Sequence, residues 1–114
     1  MINFIRSDLV PTTETLLSHS NGVVETSIIH IKKLKLVLIN VYRLPNCNPN
    51  SFRTTISEIT ETLNTLPDIM LVGNFNLPII KWPSRKISGG TSGNQEQAKQ
   101  LITLTEKYFL MQVI

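Results

Sequence analysis

Asn74 and Asn76 stand two residues apart at the end of a short apolar stretch, Ile69 to Gly73, inside the run MLVGNFNLPIIKW from Met70 to Trp82. On an extended backbone, side chains two apart project to the same side, so both amides are expected to face one space. A polar pair aimed into space from the carboxyl end of an apolar strand is where an active site is often built. A local reading competes with this one: Asn often bonds its own backbone in a turn, and Pro78 follows. Other reactive groups are sparse. Cys47 is the only cysteine, so one chain holds no disulfide and no thiolate metal site, and no neighbouring base marks it as a nucleophile. His19 lies in a polar stretch and reads as solvent-exposed; His30 shares a face with Ile28 and reads as a structural strand residue. Glu25 has no second acid at a matching spacing, so it reads as a surface carboxylate rather than a metal ligand.

The elements that must position these groups follow from periodicity. Met1 to Arg6 reads as a short strand, and residues 11–22, PTTETLLSHSNG, as a polar loop closing on Asn21-Gly22. Val23 to Ile31 is β-branched, with Ile29 and Ile31 on one face and Val24 and Ile28 on the other. Leu34 to Tyr42 is apolar on both faces, as an interior strand is, and joins its predecessor through Lys32-Lys33 as an antiparallel hairpin. Pro49 and Asn50 introduce a helix whose stripe is Phe52, Ile56, Ile59, Leu63 and Leu66, ending before Pro67. Ile69 to Gly73 then reads as a short buried strand, and Pro83 to Gly93 as a flexible loop. Asn94 and Gln97 have the spacing of a capping box for a last helix carrying Ala98, Leu101, Ile102, Leu104, Tyr108 and Phe109. A helix leading into a buried strand is the α/β part of the pattern.

The bulk numbers bound the answer. A chain of 114 residues with 41% hydrophobic and 17% charged residues makes one small domain and is too apolar for disorder. No internal repeat is present, and no uncharged apolar run reaches the length of a membrane span. Arg6 and Asp8 interrupt the start, so it has no signal-peptide core. The lone thiol fits a reducing compartment, nucleus or cytoplasm. The net charge of +3 is mildly basic. Its clusters, Lys32, Lys33 and Lys35, then Lys81, Arg85 and Lys86, are too thin to be a nucleic-acid footprint by themselves.

GNFNLPIIKW resembles the GDFN motif of the endonuclease/exonuclease/phosphatase superfamily, and more narrowly the GDFNLPxIxW form in endonuclease domains of non-LTR (LINE-type) retrotransposon polyproteins. Gly73, Phe75, Asn76, Leu77, Pro78, Ile80 and Trp82 match, while Asn74 stands where the family carries aspartate. NVYRLPN, residues 40–46, is similar to the family's NxYRPPN segment in Asn40, Tyr42, Arg43, Pro45 and Asn46, with Leu44 replacing the first proline. The final YFLMQVI resembles an LxQxV segment through Leu110, Gln112 and Val113.

The resemblance implies magnesium-dependent hydrolysis of a phosphodiester, with DNA as partner. It places Asn76 in the role of the asparagine that holds the carboxylate or a phosphate oxygen, and Tyr42 in that of the phosphate-binding tyrosine. Arg43 and Asn46 become nucleic-acid contacts, and Asn74 falls at the position of the base. An amide cannot accept a proton at neutral pH, and losing a general base removes about 10²–10⁴ in rate. The family's other catalytic groups, an asparagine and a metal-binding glutamate, then an aspartate and a histidine, would fall before Met1 and beyond Ile114. His19 and His30 precede Tyr42 and cannot be that histidine in chain order.

The expected product is therefore an α/β (α+β) chain. It would form the central part of a two-sheet β-sandwich flanked by helices, of the DNase I-like kind, in an inactive retroelement endonuclease. It would bind no metal itself and would associate with itself through an apolar sheet face. Three alternatives stay open at this point. One is a non-catalytic nucleic-acid- or protein-binding remnant using Arg43, Lys81, Arg85 and Lys86. Another is an active phosphoesterase of a different branch, such as an abasic-site repair nuclease, and the third is an unrelated small α/β domain.

Overall fold

A computed structural model describes residues 4–63, 68–82 and 84–110. Four strands form one mixed sheet in the order β1-β2-β3-β4: β1 Thr13–Ser20, β2 Val24–Ile31, β3 Leu36–Arg43 and β4 Ile69–Asn74. β1, β2 and β3 run antiparallel in sequence, and β4 lies parallel to β3. Two helices, α1 Pro49–Thr62 and α2 Ser92–Lys107, pack on one face, and a small hairpin, β5 Ile80–Lys81 with β6 Lys86–Ile87, lies between β4 and α2. The chain is thus a small mixed α/β domain. None of the described helices is long and apolar enough to cross a membrane.

Strand alternation divides the sheet into two unlike faces. Val37, Ile39 and Val41 of β3 point inward and join Val24 and Ile28 of β2, Phe52, Ile59 and Leu63 at α1, and Ala98, Leu101 and Leu104 of α2 in one core. The alternate residues of β3, Leu36, Leu38, Asn40 and Tyr42, face outward and are only partly covered. Met70 and Val72 of β4 continue that outer face and are 51% and 39% exposed. The stretch Ile69 to Gly73, expected to be buried, is therefore an edge strand among the described residues, because β3 is its only partner.

The hairpin of β2 and β3 forms as expected and turns through a short 3-10 segment, Lys32–Leu34, with Lys35 taking the left-handed conformation that a glycine usually supplies (φ 52°). The segment read as a polar loop is instead strand β1. A bulge between Thr15 and Leu17 breaks its alternation, so no period of two is visible in the sequence. Asn21-Gly22 does make its turn, with Asn21 Oδ1 accepting the N–H groups of Val23 (3.1 Å) and Val24 (2.8 Å). Phe4 to Arg6 form no strand, and the rest of that expected strand, Met1 to Asn3, lies outside the described residues. His19, on β1 rather than in a loop, pairs with Glu58 of α1 at 2.8 Å. Both helices start on side-chain caps: Asn48 accepts from Ser51 N–H at 2.8 Å, and Thr91 from Asn94 N–H at 3.1 Å. α2 thus begins before the expected capping box at Asn94 and Gln97. It ends at Lys107, leaving Phe109 91% exposed beyond it with φ 54°. Leu66 and Pro67, expected at the end of the first helix, and Gln112 and Val113 of the LxQxV match lie outside the described residues.

Candidate functional site

The motif residues meet where β3 and β4 end side by side. In the parallel register Tyr42 lies opposite Asn74 and Val41 opposite Gly73. On the other side Tyr42 pairs across β2 with Glu25. Glu25, Tyr42 and Asn74 therefore form a row on the outer face of the sheet, and all three are exposed. A small cleft of about 170 Å³ beside them is lined by Ser20, Gly22, Val24, Glu25, Tyr42 and Leu44. Asn46 is exposed in the loop after β3.

Asn76 does not join that row. The chain leaves strand geometry after Asn74, and Asn76 adopts a left-handed conformation at φ 50°. Its N–H donates to Asn74 Oδ1 at 3.1 Å, the local turn bond of which Asn is capable. Its side-chain Nδ2 donates to the Arg43 carbonyl. The expectation that both amides face one space is corrected here: Asn74 stays on the outer face, whereas Asn76 is turned into the protein as a brace.

Arg43 is placed still more unlike its expected role as a nucleic-acid contact. It is one residue past Tyr42, so strand alternation sends it inward with Val37, Ile39 and Val41, and it is 0% exposed. Its Nε donates to Gln97 Oε1 at 2.7 Å, Nη1 to the carbonyls of Phe75 and Asn76 at 3.1 Å each, and Nη2 to Asn94 Oδ1 at 3.2 Å. The guanidinium lies 5.7 Å from the centre of the Phe52 ring. Burial pulls its pKa below the ordinary arginine value, with the neighbouring Cys47 acting the other way. Burial in turn pushes the Cys47 thiol up, with Arg43 acting the other way. With its donors committed inside the protein, Arg43 has no face to offer a phosphate.

Asn94 and Gln97 were read as a helix cap and prove to be partners of Arg43. Gln97, 1% exposed, also donates from Nε2 to the Cys47 carbonyl at 2.8 Å, tying α2 to the loop after β3. No local pattern marks such a role, but the parity of Arg43 with Val37, Ile39 and Val41 was a readable sign that it points inward. The remaining cations of the expected basic group divide. Arg85 is half-buried and donates to the Leu110 carbonyl at 2.6 Å. Lys81 and Lys86 are exposed and sit directly opposite each other across β5 and β6. A wider groove of about 500 Å³ between α1 and α2, lined by Arg53, Ile56, Glu96, Lys99 and Leu104 among others, lies away from both motifs.

Magnesium takes hard oxygen ligands and carboxylates above all. The row Glu25, Tyr42 and Asn74 supplies one carboxylate, and no group of three His, Cys, Asp or Glu residues lies together among the described residues. With one carboxylate the row is no all-protein cage, and it would hold the ion only together with water and a substrate phosphate.

The family model described as endonuclease-reverse transcriptase matches residues 36–113, a span that begins at β3 and takes in Tyr42, Arg43, Asn46, Asn74 and Asn76. Nothing matches among the curated proteins or the solved structures.

Proposed function

This chain belongs to the endonuclease-reverse transcriptase family, and from that premise we propose that it is part of a retrotransposon-type DNA endonuclease domain that holds DNA phosphate without hydrolysing it. One observation carries the reading: Tyr42 and Asn74 stand side by side, exposed, on the outer face of the sheet, with an amide at the position where the family has a carboxylate. The Tyr42 phenol can donate to a phosphate oxygen, and the Asn74 amide can donate beside it. Neither takes a proton from water at neutral pH, so no hydrolytic step is assigned to this pair. The exposed pair Lys81 and Lys86 is charge that an approaching phosphate backbone would neutralise. A DNA partner and a lone free thiol fit the nucleus or cytoplasm.

Fluorescence anisotropy with a short DNA duplex tests this. Binding is expected to weaken linearly in log–log against salt, and replacing Lys81 and Lys86 together by alanine is expected to reduce that slope by about 2. Plasmid nicking in magnesium is expected to stay at background. Asn74→Asp supplies a carboxylate, both a base and a hard oxygen ligand, in the row with Glu25, so any gain in magnesium-dependent nicking is expected in this variant while the unmodified chain stays at background. Retention of DNA no better than that of an unrelated basic protein sinks the proposal, and magnesium-dependent nicking by the unmodified chain sinks its non-hydrolytic half.

The same reading makes the four-stranded sheet one half of a two-sheet, DNase I-like sandwich. Its outer face around Leu38, Met70 and Val72 is then the surface that a second sheet covers. Left open, such a patch favours self-association. Sedimentation of this chain is expected to depend on concentration, and Val72→Lys is expected to return it to monomer. Ideal monomeric behaviour of the unmodified chain removes this part of the reading.

A further inference from the structure

Tyr42 and Asn74 face outward, and on that face the loop that follows Asn74 is held by one local bond, from the Asn76 N–H to Asn74 Oδ1 at 3.1 Å. Residues 75–77 belong to no strand or helix, and Asn76 departs from extended geometry, so no ladder of backbone bonds sets their register. The long-range hydrogen bonds to the loop come from beneath, through Arg43. Its Nη1 takes both the Phe75 and the Asn76 carbonyls, while the Arg43 carbonyl receives the Asn76 side chain. Arg43 and Asn76 therefore grip each other reciprocally. The other side of the guanidinium is held by Asn94 and Gln97 of α2, and Gln97 reaches on to the Cys47 carbonyl.

We infer that Arg43 is a positioning residue: with Gln97 as its anchor on α2, it sets the place of the loop from Phe75 to Leu77, immediately behind the Tyr42–Asn74 pair. Guanidinium chemistry suits the task. A planar fork holding acceptors on separate nitrogens fixes their directions as well as their distances, which a lysine ammonium cannot do. Consecutive placement does the rest, because Tyr42 and Arg43 necessarily point to opposite faces of β3. One strand end thus presents the outer group and clamps the loop that follows its neighbour Asn74. The functional meaning of the clamp rests on the phosphate-holding reading above, whereas its geometry does not.

The test is amide NMR on the full chain, comparing Arg43→Lys, Gln97→Leu and Gln97→Glu with the unmodified protein. In Arg43→Lys and Gln97→Leu the Phe75, Asn76 and Leu77 amides are expected to move and to exchange about 10-fold faster or more, with Ile28 to His30 of β2 little changed. Gln97→Glu keeps an acceptor for Arg43 Nε, and the loop resonances are expected to return close to their original positions. A general loss of stability would not be rescued in this selective way. Loop resonances that stay in place in Arg43→Lys overturn the inference, as does equal acceleration of all amides. If Arg43→Lys does not fold, the Gln97 pair decides on the same criteria. Titration with a short duplex separates the two readings. DNA-induced shifts at Tyr42 and Asn74 that weaken in the clamp variants support both. No such shifts in the unmodified chain end the phosphate reading, while the selective loop response still upholds Arg43 as its positioner.

Discussion

Alanine at Gly73 is expected to lower the melting midpoint by roughly 10–20 °C, the consequence of about 3–5 kcal/mol of lost stability. Gly73 sits opposite Val41 in the parallel pair, with φ at 147°, a backbone conformation that residues with a side chain rarely adopt. A Cβ built there would lie 1.8 Å from the Val41 carbonyl oxygen and 2.8 Å from its carbon. Those are main-chain atoms of the central antiparallel hairpin and cannot swing aside as a side chain would. The strand end must separate instead, which breaks the Val41–Gly73 and Tyr42–Asn74 pairing and carries Asn74 away from Tyr42. Because β3 is the only partner of β4 among the described residues, the first loss is local, and the amides of Gly73 and Asn74 are expected to lose protection before those of β2. An alanine variant that melts with the unmodified protein would mean the two strands do not approach as described here.

How much of this could be read in advance varies with how local the deciding force is. The stretch forming β3 was legible because its residues are apolar on both faces, and α1 because Phe52, Ile56, Ile59 and Leu63 recur at helical spacing. β1 was not, since the bulge near Leu16 scrambles its alternation and its pairing to β2 is tertiary. β5 and β6 are two residues each, too short for any period to show. At the site, that the two motifs serve one place was implied by the family resemblance alone, and the direction of each side chain was not legible. Asn76 was read by extending strand geometry through Phe75, and the chain abandons that geometry after Asn74. Asn94 and Gln97 carry the spacing of a cap, yet Thr91 caps the helix and a buried guanidinium claims both side chains. Spacing reveals which groups share a face; it does not reveal which distant charge will recruit them.

Arg43→Met is expected to cost about 3–5 kcal/mol, a large part of the stability of a domain this size, and urea unfolding should show the midpoint falling accordingly. Methionine conserves much of the volume and spares the core a cavity, so the cost is that of stranded acceptors rather than of lost packing. Replacing a buried ion by an apolar group can be neutral when its partners are replaced with it. Here they cannot be: two of the acceptors are the main-chain carbonyls of Phe75 and Asn76, and the others are the side-chain oxygens of Gln97 and Asn94. Each acceptor left dry loses its hydrogen bond without regaining water. Arg53 supplies the contrast within the same molecule. It also bonds a helix α2 side chain, Glu96, but both partners are about half exposed, at 54% and 47%. Water replaces that contact when it breaks, so Arg53→Ala is expected to cost less than about 1 kcal/mol. If Arg43→Met proves as mild as Arg53→Ala, the buried clamp is not what holds the loop. A large gap between the two would place the holding force in burial and acceptor geometry, since the side-chain chemistry removed is the same.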